Sequence, residues 1–294
     1  MKIVILGASG LIGGNMLRHY ESYPGFKVVG THFSFSTTDT VAFDTLNPSN
    51  PENFDILDFN PDWIIHCGAL SWVDYCEEHP KESYEKTVLS TKNALAIAAR
   101  LRIPFLYIST DYVFDGESGP YREDHPTNPI SVYAKHKLEA EELVLNANPK
   151  NLVLRVTNVY GDEIRMKNFI ARLLTNLQKG EPQTLYLPND QYATPVNALD
   201  VAKAAQLLII DGKSGVYNIA STDYVNRVQL AQKVLDYFPH HNMTIVPKST
   251  SEINPPAPRP LFGGLISHKF LSEYPDFQFT NVDDYLKTKT KDER

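Results

Sequence analysis

The apolar run Lys2-Ile-Val-Ile-Leu6 passes without a break into Gly7-Ala8-Ser9-Gly10-Leu11-Ile12-Gly13, which opens a helix. A short run that does not alternate suits a strand buried on both faces, which is a feature of parallel sheets covered by helices. Glycines at the strand end allow a tight turn and close backbone approach, and the helix that follows presents free N–H groups to an anion. This one junction points to an α/β layer with a nucleotide phosphate at its first turn.

The rest of the chain keeps that rhythm. Further apolar runs fall at Val28-Val29, Trp63-Ile-Ile-His66, Phe105-Leu-Tyr-Ile108 and Leu152-Val-Leu-Arg-Val156. Helical periodicity lies between and beyond them: residues 83–102 (apolar stripe Val88, Leu89, Ala94, Leu95, Ala98, Leu101), 132–146, 168–179 and 198–210. The expected fold is α/β, a doubly wound parallel sheet of Rossmann type. After about residue 160 the pattern loosens and prolines gather at 182, 188, 195, 247, 255, 256, 258 and 260. A smaller C-terminal substrate lobe is expected there, with short strands at 216–219 and 244–246 around a helix at 227–237. The division is 1–160 for the nucleotide-binding domain, with 195–212 returning to it, and 161–294 mainly for the lobe. Residues 287–294 read as a frayed charged end.

At 294 residues, with 42% hydrophobic and 21% charged residues, the chain can bury a large core. A formal net charge of −7 without a basic stripe argues against a nucleic-acid footprint. Two cysteines make neither a disulfide framework nor a Cys-rich zinc site; Cys67 reads as a small core residue. No leader-like start and no long apolar stretch occur, so a cytoplasmic protein without membrane contact is expected.

Within the glycine turn, Gly7, Ser9, Gly10, Leu11 and Ile12 are the candidate dinucleotide contacts. The second strand ends at Gly30-Thr31-His32 with no Asp or Glu to hydrogen-bond a ribose 2′-hydroxyl, which tilts the cofactor toward NADP, with NAD as the alternative. His32 and the hydroxyls of Ser34, Ser36 and Thr37 are the candidate phosphate contacts, although no Arg or Lys stands beside them. Asp44 is expected near the adenine, and Gly68, Ala69 and Leu70, after the fourth strand, near the cofactor backbone.

The catalytic signal is the pairing of Ser109-Thr110-Asp111-Tyr112-Val113-Phe114-Asp115-Gly116 with Tyr133-Ala-Lys-His-Lys137 a helix later. Tyr and Lys four apart share a helix face. Tyr23…Lys27 and Tyr285…Lys289 have the same spacing, but the former spans Pro24 and Gly25 and the latter lies in the charged end. A phenol with its ordinary pKa of ~10 needs help at neutral pH, and the Lys137 ammonium is expected to supply it. Thr110 would hold the same substrate oxygen. Thr110, Tyr133 and Lys137 are therefore the candidate catalytic residues, Tyr133 and Lys137 also facing the cofactor, and no metal is required.

Together these motifs resemble the extended short-chain dehydrogenases/reductases, and within them the dTDP-4-dehydrorhamnose reductase family. Its Gly-x-x-Gly-x-x-Gly falls on Gly7, Gly10 and Gly13, its Ser-Thr-Asp-Tyr-Val-Phe-x-Gly on Ser109 to Gly116, and its Tyr and Lys on Tyr133 and Lys137. Val73, Asp74 and Glu77 of a further motif are kept, as are Arg155 to Gly161, the Asp190-Gln191 loop and Arg259-Pro260. The resemblance implies reduction of a nucleoside-diphosphate 4-keto-6-deoxysugar, with Thr110, Asp111, Asn158 and Arg259 on the substrate and Arg259 facing its diphosphate. It also allows a homodimer. Three departures concern substrate: Asn158 stands where the family has an aromatic residue, Gly263 where it has Ser, and His66 where it has Asn. Sibling chemistries are epimerases and 4,6-dehydratases, the latter carrying Asp-Glu where this chain has Asp111-Tyr112. A non-catalytic NADP-binding regulatory subunit, like the methionine adenosyltransferase β subunit, is the alternative from another class.

Overall fold

Alternate side chains of an extended run point to opposite faces, and the first strand shows what its apolar composition does: Ile3 and Ile5 join one core while Val4 and Leu6 join the other. The computed structural model describes residues 1–291. In chain order the elements are β1 (Lys2–Leu6), α1 (Leu11–Glu21), β2 (Lys27–His32), β3 (Thr40–Ala42), α2 (Ile56–Phe59), β4 (Trp63–His66), α3 (Val73–Glu78), α4 (Pro80–Tyr84), α5 (Ser90–Leu101), β5 (Phe105–Thr110), α6 (Val132–Ala147) and β6 (Leu152–Val156). They continue with α7 (Phe169–Lys179), β7 (Gln183–Pro188), β8 (Tyr192–Ala193), α8 (Ala198–Ile210), β9 (Gly215–Asn218), β10 (Val225–Asn226), α9 (Arg227–Asp236), β11 (Met243–Lys248), α10 (Thr250–Ile253), α11 (His268–Glu273) and α12 (Val282–Lys291).

Seven strands pair in the order β3-β2-β1-β4-β5-β6-β9, all parallel. The order reverses between β1 and β4, which opens a crevice at the carboxyl ends of those strands. One face packs Met16, Leu17 and Tyr20 of α1 with Val201, Ala205 and Leu208 of α8. The other packs Ala94 and Ala98 of α5 with Ala140 and Val144 of α6. Several helices carry a polar cap: Ser131 on α6, Asn168 on α7, Asn197 on α8, and Asn226 with Gln229 as a capping box on α9. Helix α1 starts at Gly10 with no side-chain cap. A third core, with Ile170, Leu173, Leu230, Val234 and Leu286, lies under the parallel pair β7–β11 and the antiparallel pair β8–β10.

Three expectations are corrected. The helix over 83–102 is divided: α4 begins at Pro80, residues 85–89 form a π-helical turn, and α5 follows. There the Thr91 hydroxyl donates back to the Thr87 carbonyl at 2.7 Å, a side-chain bond that competes with the helical ladder. The strand near 216–219 forms, but as the seventh strand of the main sheet, because β6 has an open edge and Tyr217 and Ile219 have a core to enter. The charged end is helical through α12, held by buried Tyr285 and Leu286 and by Lys289 on Asp162 at 2.7 Å. Residues 292–294 of that expectation lie outside the described ones. No helix among the described residues is long and apolar enough to cross a membrane.

Candidate active site

A cleft of about 820 Å³ opens where the strand order reverses. Its floor begins with the glycine turn. Gly7 has φ +82°, and a Cβ on Gly13 would lie 2.5 Å from the Gly7 carbonyl oxygen and 2.9 Å from the Ala8 Cα, a clash with backbone that cannot move aside. The first turn of α1 has neither a capping side chain nor an acidic residue, so its N–H groups and its dipole are left to an external anion. This cradle fits a dinucleotide pyrophosphate. Ser9, Leu11, Ile12, Asp44, Gly68, Ala69 and Leu70 line the same cleft, with Asp44 just past β3. Cys67 is only partly core: it packs against Met16 on one side and lines the cleft on the other, and burial pushes its thiol up to about 12.

The opposite wall is one face of α6. Tyr133, Lys137 and Glu141 succeed one another at four-residue spacing and so stack along the helix. Lys137 is 4% exposed, donates to the Ile108 carbonyl at 2.6 Å and stands 4.1 Å above the Tyr107 ring. Burial lowers its pKa to about 7, against the opposing charge of Glu141. Glu141 is itself buried and accepts from Arg155 Nε at 3.1 Å and Nη2 at 2.8 Å. Sequence reading missed the role of this pair in the site, although position 141 continues the spacing of 133 and 137.

Burial raises the Tyr133 phenol above its ordinary range, and a hydrogen bond with Thr110 offsets part of the rise. The expectation that Lys137 draws the phenol toward neutrality is not met in this state: desolvation sets the direction, and the Lys137 amine is turned to the Ile108 carbonyl. The consequence is chemical: Tyr133 is protonated at neutral pH and suited to donate. Tyr112 packs edge-on against it at 5.8 Å.

Asp111 lines the cleft, but its carboxylate is engaged. It accepts from Thr157 Oγ1 at 2.7 Å, Gly264 N at 3.1 Å and Thr110 Oγ1 at 3.3 Å. It thereby pins two loops to the end of β5. Asn158 also lines the cleft, in the left-handed region at φ +40°, and accepts from Arg227 Nη2 at 2.6 Å. Two expected contacts are not brought to the cleft wall. His32 turns to Thr40, Nδ1 to Oγ1 2.9 Å, and Arg259 pairs with Asp74 at 2.6 Å and donates to the Ala257 carbonyl. The Asp190-Gln191 loop is held by Thr250 away from it.

In their place the cleft gathers residues with no motif to announce them. Arg165 and Lys167 come from the loop after β6, Arg172 from α7 and Arg227 from the start of α9. Trp72, 67% exposed, stands at the rim and stacks on Tyr75, which stacks on His79 at 4.0 Å. His66 is buried at the end of β4; desolvation first, then the Lys137 charge, lower its pKa to about 3, so it is neutral beside Ser90.

A doubly wound sheet, a glycine cradle at its switch point and a Thr-Tyr-Lys wall across from it define the extended short-chain dehydrogenase/reductase class. Within that class the chain belongs to the RmlD substrate-binding domain family, which matches residues 1–288. It is 30% identical over 266 residues, 88% of either chain, to a probable low-salt glycan biosynthesis reductase from Haloferax volcanii. It is 28% identical to the methionine adenosyltransferase 2 subunit beta of Bos taurus, over 81% of this chain and 72% of that one. Among solved structures, a dTDP-4-dehydrorhamnose reductase from Clostridium acetobutylicum superposes with a TM-score of 0.83 at 27% identity, covering 99% of this chain and 98% of the other.

Proposed function

We propose that the protein catalyses NAD(P)H-dependent reduction of a nucleoside-diphosphate 4-keto-6-deoxysugar, with NADP as the preferred cofactor. The observation that carries this reading is the presence of Thr110, Tyr133 and Lys137 in the same cleft as the glycine turn. The nicotinamide would supply the hydride. Tyr133, kept protonated by burial, donates the proton to the developing alkoxide, and Thr110 holds that oxygen. Lys137, poised near neutrality, holds the cofactor and returns a proton to Tyr133. Residues 1–160 and 195–212 hold the cofactor in this reading, and the substrate lies mainly against 161–294. Its diphosphate falls to Arg172 and Arg227, since Arg259 is committed to Asp74. The similarity to a glycan biosynthesis reductase and to a dTDP-4-dehydrorhamnose reductase supports this assignment.

The similarity to a methionine adenosyltransferase β subunit favours a second reading, a nucleotide-binding regulatory subunit. Absorbance at 340 nm with dTDP-, UDP- and GDP-linked 4-keto-6-deoxysugars separates the two. Turnover is expected with at least one, and Tyr133→Phe should lower it by ~10²-fold or more with cofactor affinity unchanged. No oxidation of NADPH with any of them, together with activation of a methionine adenosyltransferase on mixing, would replace the first reading by the second.

A further inference from the structure

The loop after β2 is where a dinucleotide's adenosine ribose is read, and residues 31–37 contain no Arg or Lys. His32, the basic side chain in that stretch, is turned to Thr40 and does not line the cleft. Yet the loop is not without a cation. Arg165, about 130 residues further on, places its guanidinium 5.0 Å from the centre of the Phe35 ring. Phe33, Ser34, Phe35 and Arg165 all line the cleft, and Arg165 is partly buried. A ring beneath a guanidinium orients it without using any of its five donors.

The charges around it leave those donors available. Among the described residues Arg165 has no carboxylate within ion-pair distance. Glu163, two residues away, lines the same cleft but accepts through Oε1 from the backbone N–H groups of Lys167 and Asn168 at the start of α7, and it makes no ion pair with Arg165. Asp44 accepts from the Leu46 N–H at 2.8 Å. Arg18 adds a second guanidinium near a small pocket with Ser9, Gly10 and Thr37, donating to the Asp162 carbonyl at 3.1 Å, and Lys167 adds a third cation to the cleft. The one exposed carboxylate of the loop is Asp39, on the edge of that pocket.

We infer that Arg165 is the specificity residue for the 2′-phosphate of NADP, reaching the adenosine ribose from the loop after β6 rather than from the strand end that usually supplies this contact. The inference rests on the dinucleotide-reductase reading and deepens it. A bidentate guanidinium matches a phosphate dianion and has no counterpart on the 2′-hydroxyl of NAD, so the preference falls on the phosphate alone. It also ties recognition of the cofactor to the segment leading into α7, whose Arg172 lines the same cleft.

The test is binding, measured on the full chain by calorimetry or nucleotide fluorescence with NADPH, NADH, 2′,5′-ADP and 5′-ADP. The wild type should bind NADPH and 2′,5′-ADP more tightly than NADH and 5′-ADP. Arg165→Ala should weaken NADPH and 2′,5′-ADP by roughly 10- to 100-fold, the range expected for a lost charge-assisted contact, and leave NADH and 5′-ADP within about threefold. Arg165→Gln, which keeps the length and loses the charge, should behave as Arg165→Ala does, and circular dichroism should show both variants folded. Equal weakening of all four ligands, or no weakening of any, would overturn the inference, as would a wild type that prefers NADH, since Asp39 would then be the residue that reads the ribose. Failure of the wild type to bind either dinucleotide would instead overturn the reading on which the inference rests.

Discussion

Replacing Lys137 by Met should make the protein more stable and catalytically inert at once. The ammonium is 4% exposed, and burial lowers its pKa from 10.5 to about 7. An unfolded chain keeps this lysine protonated up to its ordinary value, so between pH 7 and 10.5 the unfolded state binds more protons, and stability rises with pH. Relative to pH above 10.5, folding at pH 7 therefore carries a penalty of roughly 4 kcal/mol from this one group. Methionine of similar length removes the penalty but forfeits the bond to the Ile108 carbonyl and the contact with the Tyr107 ring, together worth roughly 1–3 kcal/mol. The net expectation at pH 7 is a gain of roughly 1–3 kcal/mol, or about 2–5 °C in Tm for a chain of this length. Thermal unfolding of wild type and Lys137→Met across pH 7–10 checks it: the advantage of the variant should shrink as pH rises, while its turnover stays at least ~10²-fold below wild type. A variant less stable than wild type at pH 7, with a gap that does not change with pH, would mean that Lys137 is fully charged in the folded protein, and the assignment of a neutral-range amine to the site would fall.

Glu141→Gln should destabilise the fold by roughly 3–5 kcal/mol, because it leaves the Arg155 guanidinium buried without its carboxylate; adding Arg155→Met should recover much of the loss, measured by urea unfolding. The chain has two tryptophans, and Trp63 is buried, so quenching of emission on adding a sugar nucleotide should report Trp72 at the rim. Trp72→Leu should abolish the quench and raise KM roughly 2- to 10-fold with kcat little changed, the scale of one lost ring contact; a quench that survives the substitution would place the ligand elsewhere.

What the sequence determined by itself is local. The non-alternating runs marked five of the seven strands of the parallel sheet, since a strand buried on both faces must be apolar along its length, and the glycine spacing fixed the turn, since a Cβ at position 13 would strike backbone. The four-residue spacing placed Tyr133 and Lys137 on one face for the same local reason. Tertiary structure decided whatever depends on residues far apart in the chain. It gave β9 to the main sheet and brought Arg165, Arg172 and Arg227 to the cleft, because their positions follow from how the loop after β6, α7 and α9 pack rather than from any spacing. It turned His32 to Thr40 and Arg259 to Asp74, contacts that no local spacing announces. It also set the electrostatics: the ammonium at position 137 and the phenol at position 133 are readable as letters, but their protonation at neutral pH is fixed by the depth at which the fold buries them.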